Sequence, residues 1–202
     1  MTLVVIAAWS SGPAARATTK GLNQIVTPDI QPAGALSVSA QLQDARIANP
    51  AEIQFELGLT SWAEIAFLQG LRPRDEILGA EANLWHWGPH LLTAGAVNWS
   101  SRGGEIQPVV EYGFYASRDH LVIGGSRAGG RTEGILGFSH QFTERLQVAV
   151  DYQSGPGNAL TFGFTFNLTD ALQVNPAVYF ANTRPHAAMG YVVLTWTRAV
   201  WR

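Results

Sequence analysis

The segment ALTFGFTFNL at residues 159–168 alternates large apolar side chains with small or polar ones along its whole length. The apolar positions are Leu160, Phe162, Phe164, Phe166 and Leu168. Successive side chains of a β-strand point to opposite faces, so this period of two predicts a strand with one apolar face and one face of Ala, Thr, Gly and Asn.

The same alternation recurs along the chain, interrupted by Ser, Thr and Asp turns and by connections that carry Gly, Pro and Arg. It predicts an all-β, antiparallel up-and-down fold of about twelve strands, with ten or fourteen as alternatives. The predicted strands are 34–44, 51–60, 63–72, 75–86, 90–101, 105–116, 119–127, 131–142, 145–154, 158–168, 171–182 and 187–200.

The polar face distinguishes a membrane barrel from a water-soluble sandwich. A sandwich exposes this face to bulk water and is rich there in Lys, Glu, Arg and Thr, whereas here it is mostly Ser, Thr, Gln, Asn, Gly and Ala. Only 14% of the 202 residues are charged, against roughly 25% in soluble domains. Past the first dozen residues, no apolar run approaches the ~20 residues of a spanning helix. These features predict a transmembrane β-barrel around a wet lumen.

Residues 1–33 have a different pattern. Residues 1–17 contain a short apolar run, a Gly-Pro break and the sequence Ala15-Arg16-Ala17, which together predict a cleaved signal peptide. A buried N-terminal strand is the alternative. Residues 18–33 carry two prolines and no sustained period, which predicts an irregular lead-in under or inside the barrel mouth; residues 34–202 are the predicted barrel.

Tryptophan and proline positions bear on this prediction in opposite ways. Tryptophan favours the headgroup level of a membrane, and five tryptophans fall near one predicted end of the barrel: Trp62, Trp85, Trp87, Trp196 and Trp201. Trp99 falls near the other end. Pro108 and Pro176 lie inside predicted strands, where each removes a donor from the hydrogen-bond ladder, so we expect a bulge or a position near the rim.

Residue types that carry chemistry are absent or unsuitably placed. The chain has no cysteine, which excludes disulfides, thiolate zinc sites and cysteine nucleophiles. A net charge of −2 argues against nucleic-acid binding. Ser139 and His140 are neighbours on one predicted strand and therefore point to opposite faces. The other histidines lack metal-ligand spacing, and no phosphate-loop, dinucleotide or Gly-x-Ser-x-Gly motif occurs. We therefore expect no enzyme, metal or cofactor.

Seven carboxylates fall on the predicted lumen face: Glu52, Glu56, Glu64, Glu81, Glu111, Glu133 and Asp151. Buried, dry and unpaired carboxylates would be costly, so we expect water or arginine partners inside, with Arg127 and Arg131 as the nearest candidates. Two interpretations remain open. The carboxylates line a narrow pore that favours cations or polar solutes, or they form a plug of salt bridges.

The segment GLNQIVTPDIQPAGAL at residues 21–36, together with the signal peptide and the repeated turn-to-Leu-Gln-strand units, resembles bacterial outer-membrane β-barrel proteins. The segment itself is similar to the one that precedes the first strand in barrels associated with exopolysaccharide production. The resemblance to barrels covers residues 34–202 and implies a location in the bacterial outer membrane.

In such a membrane the outer leaflet is built of phosphorylated lipopolysaccharide. Arginine binds phosphate bidentately, and arginines concentrate in the connections that we expect outside: Arg72, Arg74, Arg102, Arg131 and Arg184. We therefore expect outer-membrane lipid and lipopolysaccharide as partners, with ordinary solvated loop charge as the alternative. The function expected from the sequence is a small porin-like pore for ions or small polar solutes. The alternative is a non-conducting structural or assembly barrel that binds lipopolysaccharide, surface polysaccharide, a partner protein or a second copy of itself.

Overall fold

Twelve β-strands follow one another in a computed structural model that describes residues 22–103 and 106–201. They are β1 Ala35–Gln43, β2 Ala51–Gly58, β3 Ala63–Leu71, β4 Arg74–Trp87, β5 His90–Ser100, β6 Gln107–Tyr115, β7 Asp119–Ala128, β8 Arg131–Gln141, β9 Leu146–Gln153, β10 Ala159–Asn167, β11 Leu172–Ala181 and β12 Ala188–Ala199. The predicted number of strands is confirmed, and each predicted strand overlaps its counterpart. The predicted signal peptide lies outside the described residues.

The strands form one closed antiparallel barrel in which consecutive strands pair with each other and the first strand pairs with the last. β1 closes the ring against β12, from Ala35 opposite Ala199 to Gln43 opposite Tyr191. We call the end with the connections 59–62, 88–89, 116–118, 142–145 and 168–171 the turn end, and the opposite end the loop end. Among the described residues, none belongs to a helix that is long and apolar enough to cross a bilayer.

The distribution of polarity is the reverse of that in a water-soluble protein. On β10, the phenylalanines point outward and are exposed, with Phe162 at 54%, whereas Thr161 points inward and is fully buried. On β12, Thr195 is likewise buried while the neighbouring Leu194 is exposed. The outside of the barrel is therefore apolar, and inward positions of these strands carry buried hydroxyl groups, which rules out the sandwich alternative, in which the phenylalanines would be buried.

Both prolines that argued against a closed sheet are accommodated. Pro108 is the second residue of β6 and pairs only towards β5, since the β6–β7 ladder begins at Val109. Pro176 lies in the middle of β11, and the pairing with β10 is interrupted beside it. There the side-chain Nδ2 of Asn175 donates to the carbonyl oxygen of Phe164 at 3.0 Å, in the place where proline has no N–H to offer.

The β4–β5 hairpin is the least regular part of the barrel. Its register shifts between Leu78 and Ala80 and again between Asn83 and Trp85. At the first shift, Asn98 has a positive φ of 61°, as expected for a bulge residue. The second shift keeps Trp85 and Trp87 on the outside, where they surround His90 at the turn end. The tryptophans that the sequence places at the two ends are all exposed.

Candidate functional site

The candidate site is the lumen of the barrel. All seven carboxylates singled out in the sequence occupy inward strand positions, and six of them are buried: Glu52, Glu64, Glu81, Glu111, Glu133 and Asp151. The seventh, Glu56, lines a cavity inside the barrel. Alternation along the strands is sufficient to place them, because inward residues keep one parity within each regular strand.

Of the two arginines that we expected as partners of the lumen carboxylates, one points outward and the other lies exposed at the loop end. Arg127 does not face the lumen, because it shares its parity on β7 with the outward, exposed Ile123 rather than with the buried Val122 and Ser126. Arg131 is the exposed first residue of β8 at the loop end. Apart from Arg131, no lysine or arginine in 22–103 or 106–201 occupies an inward strand position. The described strands therefore contribute seven inward carboxylates and one inward arginine, Arg131, to the lumen wall.

Residues 22–33, which we call the N-terminal segment, lie inside the barrel. Leu22 and Ile25 are 6% and 2% exposed, and they pack in one apolar cluster with wall residues of β6 to β9. The wall members of this cluster are Val109, Val122, Ile135 and Ala149. The lead-in predicted under or inside the barrel mouth is thus packed against the inner wall, and burial of its apolar side chains stabilises that position.

Wall side chains also hold the backbone of the N-terminal segment by hydrogen bonds. Asp151 accepts from the backbone N–H of Asn23 at 2.7 Å and from that of Gln24 at 3.3 Å. Nearer the turn end, Glu64 Oε2 accepts from the backbone N–H of Gln31 at 2.6 Å. Two of the lumen carboxylates therefore act as hydrogen-bond acceptors for the backbone of the segment.

Two hydroxyl groups complete this attachment. The Thr93 hydroxyl donates to the carbonyl oxygen of Pro28 at 2.6 Å. The Tyr115 hydroxyl donates to Oδ1 of Asp29 at 2.8 Å. The segment is thus held at several heights of the lumen, from Asp151 on β9 down to the turn end.

Inward glycines make room for the N-terminal segment. A Cβ on Gly113 would lie 2.6 Å from Cγ of Pro28, and one on Gly137 would lie 2.6 Å from Cδ1 of Ile25. A Cβ on Gly58 would meet the carbonyl groups of Gln31 and Pro32. The sequence alone does not show which of its glycines contact the segment.

Above the segment, towards the loop end, lies a cavity of about 510 Å³ that we call the vestibule. Residues 22–26 form part of its lining, and loop residues such as Ile47 and Pro156 lie at its outer edge. Among the described residues, its lining contains the carboxylates Glu52 and Glu56 and a single cation, Arg46. Its glutamines, Gln41, Gln43 and Gln54, were seen in the sequence only as part of a polar face.

Arg46 is bound to a neighbouring acid at the mouth. Its guanidinium donates to both carboxylate oxygens of Asp44. This hydrogen bonding lowers the pKa of Asp44 from 3.8 to about 2. The positive charge at the vestibule mouth is therefore neutralised by its own neighbour at physiological pH.

The five rim arginines of the sequence analysis, Arg72, Arg74, Arg102, Arg131 and Arg184, all lie exposed at the loop end. Arg74 forms an ion pair with Glu76 at 2.8 Å. At the turn end, His140 points outward and its Nδ1 contacts Oδ1 of Asp119 at 2.7 Å, while Ser139 points inward. Within the described ranges, no group of three or more His, Asp or Glu side chains is arranged to hold a metal ion.

No protein-family model matches the sequence, and no curated protein matches it. The fold matches solved structures. The KdgM porin superposes with a TM-score of 0.59 at 7% identity over 80% of this chain and 98% of that chain. The NanC porin superposes with a TM-score of 0.58 at 10% identity over 82% of this chain and 100% of that chain. The KdgM porin in complex with disordered oligogalacturonate gives a TM-score of 0.59. At these identities the likeness establishes a common barrel fold.

Proposed function

We propose that this chain is a narrow porin-like pore of the bacterial outer membrane that passes small cations and small polar solutes. The observation that carries the proposal is the inward wall of seven carboxylates, six of which are buried. A ring of negative side chains raises the local concentration of cations and repels anions in a narrow pore.

The membrane location is supported by the outer surface. Its exposed side chains are apolar, it carries tryptophans at both ends, and the strand number is even, as in bacterial outer-membrane barrels. The two porins that share the fold support the same location. The signal peptide predicted at residues 1–17 would supply the export that this location requires.

The solute class differs from that of one structural neighbour. The KdgM porin has been solved with oligogalacturonate, which is an anionic sugar chain. Here Glu52 and Glu56 face the vestibule, and its one cation, Arg46, is bound to Asp44. An anionic chain would be repelled by the carboxylates of this wall, so we assign the pore to cations and neutral polar solutes.

A second candidate, a non-conducting structural or assembly barrel, is favoured by the packing of the N-terminal segment across the lumen. In that case the rim arginines would bind lipopolysaccharide phosphates or a surface polysaccharide, and the barrel would serve a partner protein or another copy of itself. Exchange of Arg72, Arg74 and Arg102 for glutamine tests the rim: unchanged association with lipopolysaccharide would exclude this role.

Recordings of the purified protein in planar bilayers separate the two candidates. We expect discrete current steps and, in a KCl gradient, a zero-current potential of the sign for cation selectivity. Glu56→Gln and Glu81→Gln should reduce that potential, whereas Glu76→Gln, which removes the same charge from an outward position, should leave it unchanged. Bilayers that stay silent with correctly folded protein would favour the non-conducting barrel.

A further inference from the structure

The vestibule has a polar wall built on β1 and β2. The Gln54 side chain donates to Oε1 of Gln41 at 3.0 Å, and the Gln41 side chain donates to Oε1 of Gln43 at 2.9 Å. This chain of amides fixes the side chains around Glu52. A fixed polar wall is characteristic of a binding site, because its groups do not need to be ordered when a ligand arrives.

Glu52 is the charged group of this wall, and the hydrogen bonds that it accepts are long. Its Oε1 receives Gln43 Nε2 at 3.5 Å and its Oε2 receives Gln54 Nε2 at 3.5 Å. Charge-assisted bonds from an ammonium group to a carboxylate are ~2.7–2.9 Å long and about twice as strong as neutral ones. Glu52 therefore has acceptor capacity that the two amides leave largely unused.

The rest of the vestibule wall carries an apolar strip at the same height. It consists of Leu68 on β3 and Ile77 on β4, which are only partly buried, whereas Val109 and Ile135 of the same lining are already covered by Leu22 and Ile25. Leu68 and Ile77 face each other directly across two neighbouring strands. A lumen that passes only hydrated ions gains nothing from such a strip, since apolar side chains in contact with water are unfavourable unless a ligand covers them.

The size and charge of the vestibule restrict the ligand. Its volume of about 510 Å³ lies inside the ~300–1,000 Å³ of ordinary ligand pockets. Its wall carries the negative charge of Glu52, and the positive charge of Arg46 is engaged by Asp44. An anion is therefore excluded by charge, and a sugar would leave the apolar strip uncovered.

We infer that the vestibule binds small organic cations that combine a primary ammonium group with an apolar body. The ammonium group bonds to Glu52, with the amides of Gln41 and Gln54 beside it, and the apolar body covers the strip around Leu68 and Ile77. This inference rests on the proposed function, in that the vestibule must be open to the medium, and it names the class of solute that the pore selects.

Titration calorimetry of the folded full-length barrel in detergent tests the inference. Four small molecules are compared, which differ in their charge or in their apolar body. Benzylammonium carries both features, methylammonium lacks the apolar body, benzyl alcohol lacks the charge, and benzoate reverses it. We expect benzylammonium to bind most tightly and benzoate not at all. Glu52→Gln should weaken benzylammonium at least about tenfold, the loss expected for one charged hydrogen bond, whereas Glu76→Gln on the outer face should not.

The apolar strip has its own test. Leu68→Asn should weaken benzylammonium and leave methylammonium unchanged, with Leu71→Asn on the exposed outer face as its control. Equal binding of benzylammonium and benzyl alcohol, or binding that Glu52→Gln leaves intact, would overturn the inference. Binding and conduction are measured separately: binding in a barrel that does not conduct supports this site and overturns the pore, and conduction without binding overturns this site alone.

Discussion

Oδ2 of Asp151 accepts the backbone N–H of Asn23 at 2.7 Å, across 128 residues of chain. The same carboxylate accepts the backbone N–H of Gln24 and the hydroxyl of Thr161. One lumen acid therefore joins the N-terminal segment to two neighbouring strands, β9 and β10. A carboxylate of this kind has a structural role, and the selectivity of the pore must depend on the others.

Replacing Asp151 by alanine should release the N-terminal segment. The buried hydroxyl of Thr161 and the partly buried N–H groups of Asn23 and Gln24 would lose their acceptor, at a cost of about 1–3 kcal/mol in the free energy of unfolding. We expect faster amide hydrogen exchange in residues 22–26 and a larger single-channel conductance. Asp170→Ala, in an exposed turn, is the control. Unaltered exchange in the segment would show that Asp151 does not hold it.

Gly58→Ala should displace the other end of the segment. The added Cβ would lie 2.7 Å from the carbonyl carbon of Pro32 and closer still to the carbonyl oxygens of Gln31 and Pro32, which are backbone atoms and cannot rotate away. We expect faster amide hydrogen exchange at Gln31 and Ala33 and increased conductance. Gly134→Ala provides the comparison, since its nearest neighbour would be Oγ of Ser154 at 3.9 Å. Identical behaviour of the two variants would refute the close fit.

Much of this fold could be predicted from the sequence because its pattern is local. The parity of side chains on β10 and the turn residues between strands were enough to give twelve strands and the inward position of residues such as Glu111. Arg127 was misplaced although the alternation on β7 gives its direction: it has the parity of the outward Ile123, and β7 pairs with β8 without a register shift up to Ala128.

Other features depend on contacts between distant residues, which no local pattern contains. The sequence allowed the N-terminal segment to lie inside the barrel but could not pair Asn23 with Asp151 or Gln31 with Glu64. The bulge at Asn98 breaks the alternation that gave the prediction. The vestibule combines side chains of strands far apart in the chain, so its polar wall and its apolar strip emerge only when the ring closes.

Phe164→Arg tests whether the outer face contacts lipid. Phe164 points outward from the middle of β10 and is 41% exposed. An arginine on the lipid face near the bilayer midplane costs about 2–4 kcal/mol, and near the interface only about 0–1 kcal/mol. We therefore expect a large loss in the free energy of unfolding from vesicles, with Leu168→Arg at the turn end as a mild control. A small loss for Phe164→Arg would contradict the membrane location.

Arg46→Gln should raise the pKa of Asp44 from about 2 towards its ordinary 3.8, because the guanidinium hydrogen bonds that lower it are lost. The pKa of Asp44 is lower in the folded protein than in the unfolded chain, so the pair stabilises the β1–β2 connection above pH 3.8 and loses this effect as the pH falls through 2. Carboxyl NMR titration in detergent measures both values. A titration of Asp44 near pH 3.8 in the parent protein would show that the pair does not form.

Asn175 donates a hydrogen bond in place of the backbone N–H that Pro176 lacks. We therefore expect the effects of mutations at these two positions on the free energy of unfolding to be non-additive. Asn175→Ala removes the group that donates to the carbonyl of Phe164, and should cost about 1–3 kcal/mol in the free energy of unfolding. Pro176→Val restores a backbone N–H opposite Phe164, so Asn175→Ala should cost less in that background. Urea unfolding of the two single variants and the double variant gives the coupling energy. Strict additivity would mean that Asn175 is not the substitute donor, and that its remaining bonds, to the hydroxyls of Thr165 and Tyr191, account for its burial.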